Sequence, residues 1–173
     1  MGKVISAYLN CDFDVVLVKK IGALDEPEVA LGAISESGDI YVNQGCLPYT
    51  TQGYIDETAK EKLELLKKRR NEYSQVHKAV DPHDRVCIIV DDGIATGATM
   101  IAAIRAILTK KPKRLIVSAP IVSTDAAKLI QQEVGVETRF YIVRDDFIAV
   151  SEIYDEFPQI SDQQVLQILS TKN

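Results

Sequence analysis

The chain contains no tryptophan, two histidines and three cysteines, and only nine glycines and six prolines among its 173 residues. So little glycine and proline excludes collagen-like and low-complexity architectures. Cys11, Cys46 and Cys87 form neither an even set nor a metal-ligand spacing, and read as reduced thiols of a cytoplasmic protein. His77 and His83 have no cysteine or carboxylate at metal spacing and read as surface residues. Long apolar runs are also missing. Val86–Val90 and Leu115–Val122 fall short of the roughly 20 residues of a membrane helix. The opening Met1-Gly2-Lys3-Val4-Ile5 lacks the apolar segment of a signal peptide. With 20 basic and 25 acidic side chains the net charge is −5, which argues against a broadly basic nucleic-acid surface. What is present is ordinary: 46% hydrophobic and 26% charged residues, enough for one core. No internal repeat or linker divides residues 1–173, so they read as a single domain.

Strand-like and helix-like stretches alternate, the pattern of an α/β fold with a parallel sheet flanked by helices. Val4–Leu9 reads as a helix with no strand before it. Phe13–Val18 reads as a buried strand ending at Lys19-Lys20, and Gly22–Glu28 as a loop. Ala33–Glu36 and Asp39–Val42 around Ser37-Gly38 suggest a small hairpin. From Thr51 to Val76, Ile55, Ala59, Leu63, Leu66, Tyr73 and Val76 recur at spacings near three and four, giving a long helix one apolar face. A second buried strand is expected at Arg85–Val90, a third strand at Arg114–Ala119 (ending near Pro120) and a fourth at Thr138–Val143. Helices are expected over Ala98–Leu108 and Thr124–Glu133. The last helix opens at Ser161-Asp162-Gln163-Gln164, which has the form of a capping box.

Residues 86–99, Val-Cys-Ile-Ile-Val-Asp-Asp-Gly-Ile-Ala-Thr-Gly-Ala-Thr, carry the chemistry. A strand ends in Asp91-Asp92, and a loop holding two glycines and two threonines opens a helix. Backbone N–H groups at a helix N-terminus bind anions, and the hydroxyls of Thr96 and Thr99 suit phosphate oxygens. Asp91 and Asp92 stand at the carboxyl end of a parallel strand, where ligands of open α/β sheets bind, and can accept from vicinal sugar hydroxyls. A phosphate beside a diol describes a ribose 5-phosphate. The loop lacks the Gly-Lys-Ser/Thr ending of a P-loop and the Gly-x-Gly-x-x-Gly dinucleotide fingerprint. An isolated Asp-Gly would read as a helix cap, but a cap needs one acceptor and this loop offers far more.

Residues 90–99, Val-Asp-Asp-Gly-Ile-Ala-Thr-Gly-Ala-Thr, resemble the ribose-phosphate signature of the type I phosphoribosyltransferases, which bind 5-phosphoribosyl 1-diphosphate (PRPP). The likeness extends through Lys19-Lys20-Ile21-Gly22, the long charged helix and Phe147–Leu169, nearly the whole chain. It implies a phosphoribosyltransferase-like fold with a C-terminal hood, transfer of phosphoribosyl from PRPP to a nitrogenous base, and release of diphosphate. Asp91 and Asp92 would hold the ribose hydroxyls. Gly93 would belong to the same loop, and Ala95, Thr96, Gly97, Ala98 and Thr99 would wrap the 5-phosphate. Magnesium would be held mainly by PRPP, with no dedicated protein ligands. Ala95 stands where 6-oxopurine transferases usually carry an aspartate, which argues against hypoxanthine or guanine. The resemblance also implies a homodimer acting on small molecules, with no nucleic acid or membrane as partner.

Other candidates have plainer readings beside the functional one. Lys19 and Lys20 fall where the family places a basic pair near the diphosphate, but lysines also end strands in solvent. Lys67-Lys68-Arg69-Arg70 reads as the solvated face of the long helix. Phe147 and Tyr154 fall in the hood, where either stacks on a base or packs in the core. The family begins with a strand and an Arg-Gly-Gly loop that contacts diphosphate. Gly2–Ala7 resembles only the end of that loop and the following helix, so one strand and one diphosphate element are expected to be lacking. This leaves a second reading, a non-catalytic module that binds PRPP or a nucleotide.

Overall fold

A computed structural model describes residues 1–26, 29–145 and 150–171. It contains two three-stranded sheets held together by one helix. The first sheet is antiparallel, with β1 (Val18–Gly22), β2 (Ala30–Ser35) and β3 (Ile40–Val42) in that order. The second is parallel, with β4 (Val86–Val90), β5 (Arg114–Ser123) and β6 (Val136–Arg144) in that order. Gly32 is required in the hairpin, because an added Cβ would stand 2.1 Å from the Tyr41 carbonyl oxygen of β3.

The joining helix, α3 (Ala98–Leu108), is apolar nearly all round. Its Ala98 and Ala102 meet Ala30 and Ala33 of the antiparallel sheet, and small side chains allow that close approach. Its Met100, Ile101 and Ile104 join Leu115, Val117 and Val122 of β5 in the main core, with Ala126 and Ile130 of α4 (Thr124–Gln131). Burying one such aliphatic side chain contributes roughly 1.5–3 kcal/mol.

A second core lies under α2 (Gln52–Ser74), whose Ile55, Ala59, Leu66 and Tyr73 cover Ile21, Leu31 and Ile34 together with Leu169 of α5 (Asp162–Ser170). Thr51 caps α2, accepting from the Tyr54 N–H at 3.2 Å. Ser161 and Gln164 form the capping box of α5. The first helix, α1 (Gly2–Leu9), ends on left-handed Asn10.

Several expectations shift. The strand foreseen at Phe13–Val18 lies at Val18–Gly22, so Lys19 and Lys20 are inside β1 rather than beyond its end. The Leu17 carbonyl accepts from the Glu36 N–H, and the Leu17 N–H donates to the Glu36 carboxylate, which ties the preceding segment down without a ladder. β5 does not end near Pro120 but runs to Ser123. β4 stops opposite Ser118, so beyond that point β5 has one ladder and a single bridge between Val122 and Ile94. The missing N–H of Pro120 then costs little.

β4 is not buried on both faces, since Val86 is 51% exposed and Ile88 40%. Cys87 and Ile89, on its other face, pack against the main core. Lys67 and Lys68 are exposed, but Arg69 and Arg70 are only partly so and are engaged in ion pairs. Arg69 reaches Asp162 of α5 at 2.9 Å. Arg70 donates to both carboxylate oxygens of Glu36, to the Val15 carbonyl and to Asp14, because it lies on the Leu66–Tyr73 side of α2. His77 is likewise tucked against Asp14, 3.8 Å away. Cys11, Cys46 and Cys87 form no disulfide with one another.

Candidate functional site

β4 delivers Asp91 and Asp92 to the carboxyl edge of the parallel sheet. The Asp91 N–H continues the ladder by donating to the Ser118 carbonyl at 3.3 Å. The Asp92 N–H turns back and donates to Asp91 Oδ1 at 3.0 Å. Burial first, and the neighbouring Asp92 charge second, push the Asp91 carboxyl up from 3.8 to about 6. Such a carboxylate gains from any ligand that brings a hydroxyl donor or a cation.

The loop after the acids is clamped to β5. The Ile94 N–H donates to the Ile121 carbonyl at 3.0 Å, and the Ser123 N–H returns to the Ile94 carbonyl at 2.9 Å. The Ser123 hydroxyl donates to the Ala95 carbonyl at 2.6 Å and accepts from the Ala126 N–H at 3.0 Å, capping α4 as it does so. Gly97 has φ +77°, and a Cβ there would come within 3.2 Å of the Ala126 Cβ. Glycine therefore suits both the backbone and the helix contact.

α3 begins at Ala98 with no side-chain cap and no acidic residue in its first turn. Its leading N–H groups thus lack intrahelical acceptors, and the exposed Thr96 and Thr99 stand beside them. The result is an anion cradle ending a loop that starts with two carboxylates.

Asp91 and Thr99 also line a cavity of about 180 Å³ between the facing edges of the two sheets, with Val18 on one side and Ile89 on the other. Lys19 and Lys20 lie in β1, the edge strand beside that cavity. Strand alternation sends them to opposite faces, with Lys20 on the face of Val18. They therefore do not form a basic pair aimed at one point. Phe147 lies outside the described residues.

Tyr154 takes a place that its position in the chain does not announce: its hydroxyl donates to the Asp92 carbonyl at 2.6 Å. Ser123 is a second such residue. A serine just before a helix signals a cap, but nothing in the sequence tells that it also holds Ala95. Among the described residues no group of three or more His, Cys, Asp or Glu side chains is arranged to hold a metal. No helix there is long and apolar enough to cross a membrane.

Known proteins resemble this chain in sequence and fold. The chain is 34% identical to the crystal structure of TT1426 from Thermus thermophilus, with a TM-score of 0.77 over 97% of this chain and 80% of that one. It is 29% identical over 165 residues to the putative phosphoribosyl transferases MT0597 and Rv0571c of two Mycobacterium tuberculosis strains. That match takes in 93% of this chain but only 37% of those proteins. A family model described as the phosphoribosyl transferase domain matches residues 1–152, from α1 through β6 to the turn that covers the loop. The chain that builds this acid pair and anion cradle belongs to the phosphoribosyl transferase domain family.

Proposed function

We propose that the chain binds PRPP at residues 91–99 and transfers its phosphoribosyl group to a nitrogenous base, releasing diphosphate. The observation that carries this reading is the clamped loop, which holds two adjacent carboxylates and an uncapped helix N-terminus in one fixed relation. Asp91 and Asp92 accept from the ribose 2- and 3-hydroxyls. The N–H groups and hydroxyls from Ala95 to Thr99 donate to the 5-phosphate. In the reaction a base nitrogen forms a bond to C1 while the C1–oxygen bond to diphosphate breaks, the electron pair leaving with diphosphate.

Fixing the sugar at both ends contributes by orientation, because C1 is held where the incoming nitrogen arrives. Magnesium usually takes one or two carboxylates together with substrate oxygens, and Asp91 and Asp92 supply such a pair at the start of the loop. Magnesium so bound would neutralise charge growing on the departing diphosphate, with Asp91 and Asp92 contacting its shell through water. Of the two lysines, Lys20 is the better placed toward the leaving group, since it shares the face of Val18. Ala95 cannot hold or deprotonate a base, so 6-oxopurines are poor acceptors.

Calorimetry with PRPP and magnesium tests the binding, and a base panel followed by diphosphate release tests the transfer. The expected result is saturable binding, abolished in the Asp91→Asn/Asp92→Asn double variant, and turnover with one class of base. Binding without release would identify a PRPP-binding module instead. No binding would overturn both readings.

A further inference from the structure

We propose that Tyr154 is a positioning residue that sets the orientation of the acid pair, within a strap, residues 150–157, seated on the loop. This rests on the ribose-phosphate reading of the site. The loop has two sides. On one, β5 holds Ile94 and Ala95 through backbone bonds and Ser123. On the other, contact comes from the C-terminal strap. Val150 packs against Gly93 so closely that an added Cβ would lie 2.8 Å from its Cγ1 and 3.0 Å from its Cγ2.

The strap therefore requires glycine at position 93. Glycine brings backbone freedom immediately after Asp92, so the Asp92 main chain, and with it the root of its side chain, can shift relative to Asp91 unless its carbonyl is held. The Tyr154 hydroxyl removes that freedom by donating to the Asp92 carbonyl at 2.6 Å. Among the described hydrogen bonds it is the one made to that carbonyl. The Tyr154 ring is itself steadied by Phe157 of the same strap, with centroids 5.5 Å apart. One hydroxyl, 62 residues away in sequence, thus decides how two carboxylates face one diol.

The test compares two ligands in wild type and in Tyr154→Phe, which keeps the ring and removes the hydroxyl. Inorganic phosphate needs only the cradle at residues 95–99, whereas ribose 5-phosphate also needs the acids. Titrations followed by NMR should show the Kd for ribose 5-phosphate rising about three- to tenfold in the variant, the scale of one hydrogen bond. The Kd for phosphate should stay unchanged. Equal weakening of both ligands would mean general loosening of the fold and would overturn the inference, as would no change in either. Should Tyr154→Phe fail to fold, Val150→Ala loosens the seat on Gly93 and must shift the same ratio in the same direction. If wild type binds ribose 5-phosphate no better than phosphate, the functional reading falls and this inference with it.

Discussion

The backbone N–H of Asp92 points at the carboxylate of Asp91, 3.0 Å away, while the side-chain charges of the two residues oppose each other. The hydrogen bond favours an ionised Asp91; burial and the Asp92 charge outweigh it and raise the carboxyl to about 6. The free site therefore holds an unfavourable charge that sugar hydroxyls or a cation would relieve.

A pH signature follows from that shift. Since the folded value lies above the unfolded one, the native state binds more protons between about pH 4 and pH 6. Stability should fall as pH rises through that window and stay lower above it. At pH 7 the cost is on the order of 3 kcal/mol. Urea titrations at pH 4 and pH 7 should show Asp91→Asn more stable than wild type at pH 7 and little different at pH 4. The same variant should bind ribose 5-phosphate more weakly. A pH-independent difference would refute the assignment.

Gly97→Ala forces a side chain into a left-handed conformation and against α4. It should destabilise the protein by roughly 1–2 kcal/mol and displace the start of α3. The matching functional loss is in phosphate affinity, measured by titration of the folded variant. Retained affinity would show that the cradle does not depend on this turn.

Ser123 has two partners, the Ala95 carbonyl and the Ala126 N–H. Ser123→Ala removes a cap and a loop clamp together, at a cost of about 1–3 kcal/mol by thermal or chemical unfolding. Ser123→Thr keeps the hydroxyl and should recover most of that loss.

Arg70 joins α2 to the end of β2 and to the segment before β1. Arg70→Met leaves Glu36 and Asp14 half-buried without their cation, and should cost about 2–4 kcal/mol in a denaturant titration. Arg70→Lys should rescue little, because a single ammonium cannot reach both oxygens of Glu36 and the Val15 carbonyl at once. Phosphate binding should be unaffected in either variant.

The parts of this protein readable from its sequence are those whose evidence is local. Residues 86–99 carry strand, acids, glycine turn and helix start in one unbroken stretch, so the anion cradle is visible without a fold. The α2 face is visible because Ile55, Ala59, Leu66 and Tyr73 repeat at the helical period. Where a charge replaces an apolar residue on that face, periodicity misleads. Arg70 reads as solvent-bound because its partners, Glu36 and Asp14, are 34 and 56 residues away. The strand at Val18–Gly22 is masked by the β-branched run before it, which has the composition of a strand but no ladder.

Sequence by itself determined which groups gather at the carboxyl end of β4, because the acids, glycines and threonines are adjacent there and hydrogen-bond within a few residues. Only the tertiary structure decided what holds that chemistry in place. The sheet is divided in two around α3, Ser123 reaches Ala95 across 28 residues, and Tyr154 reaches Asp92 across 62. Such contacts leave no periodic trace in the chain. They arise when buried carbonyls must find donors, and which donor arrives depends on how the packed elements bring distant segments together.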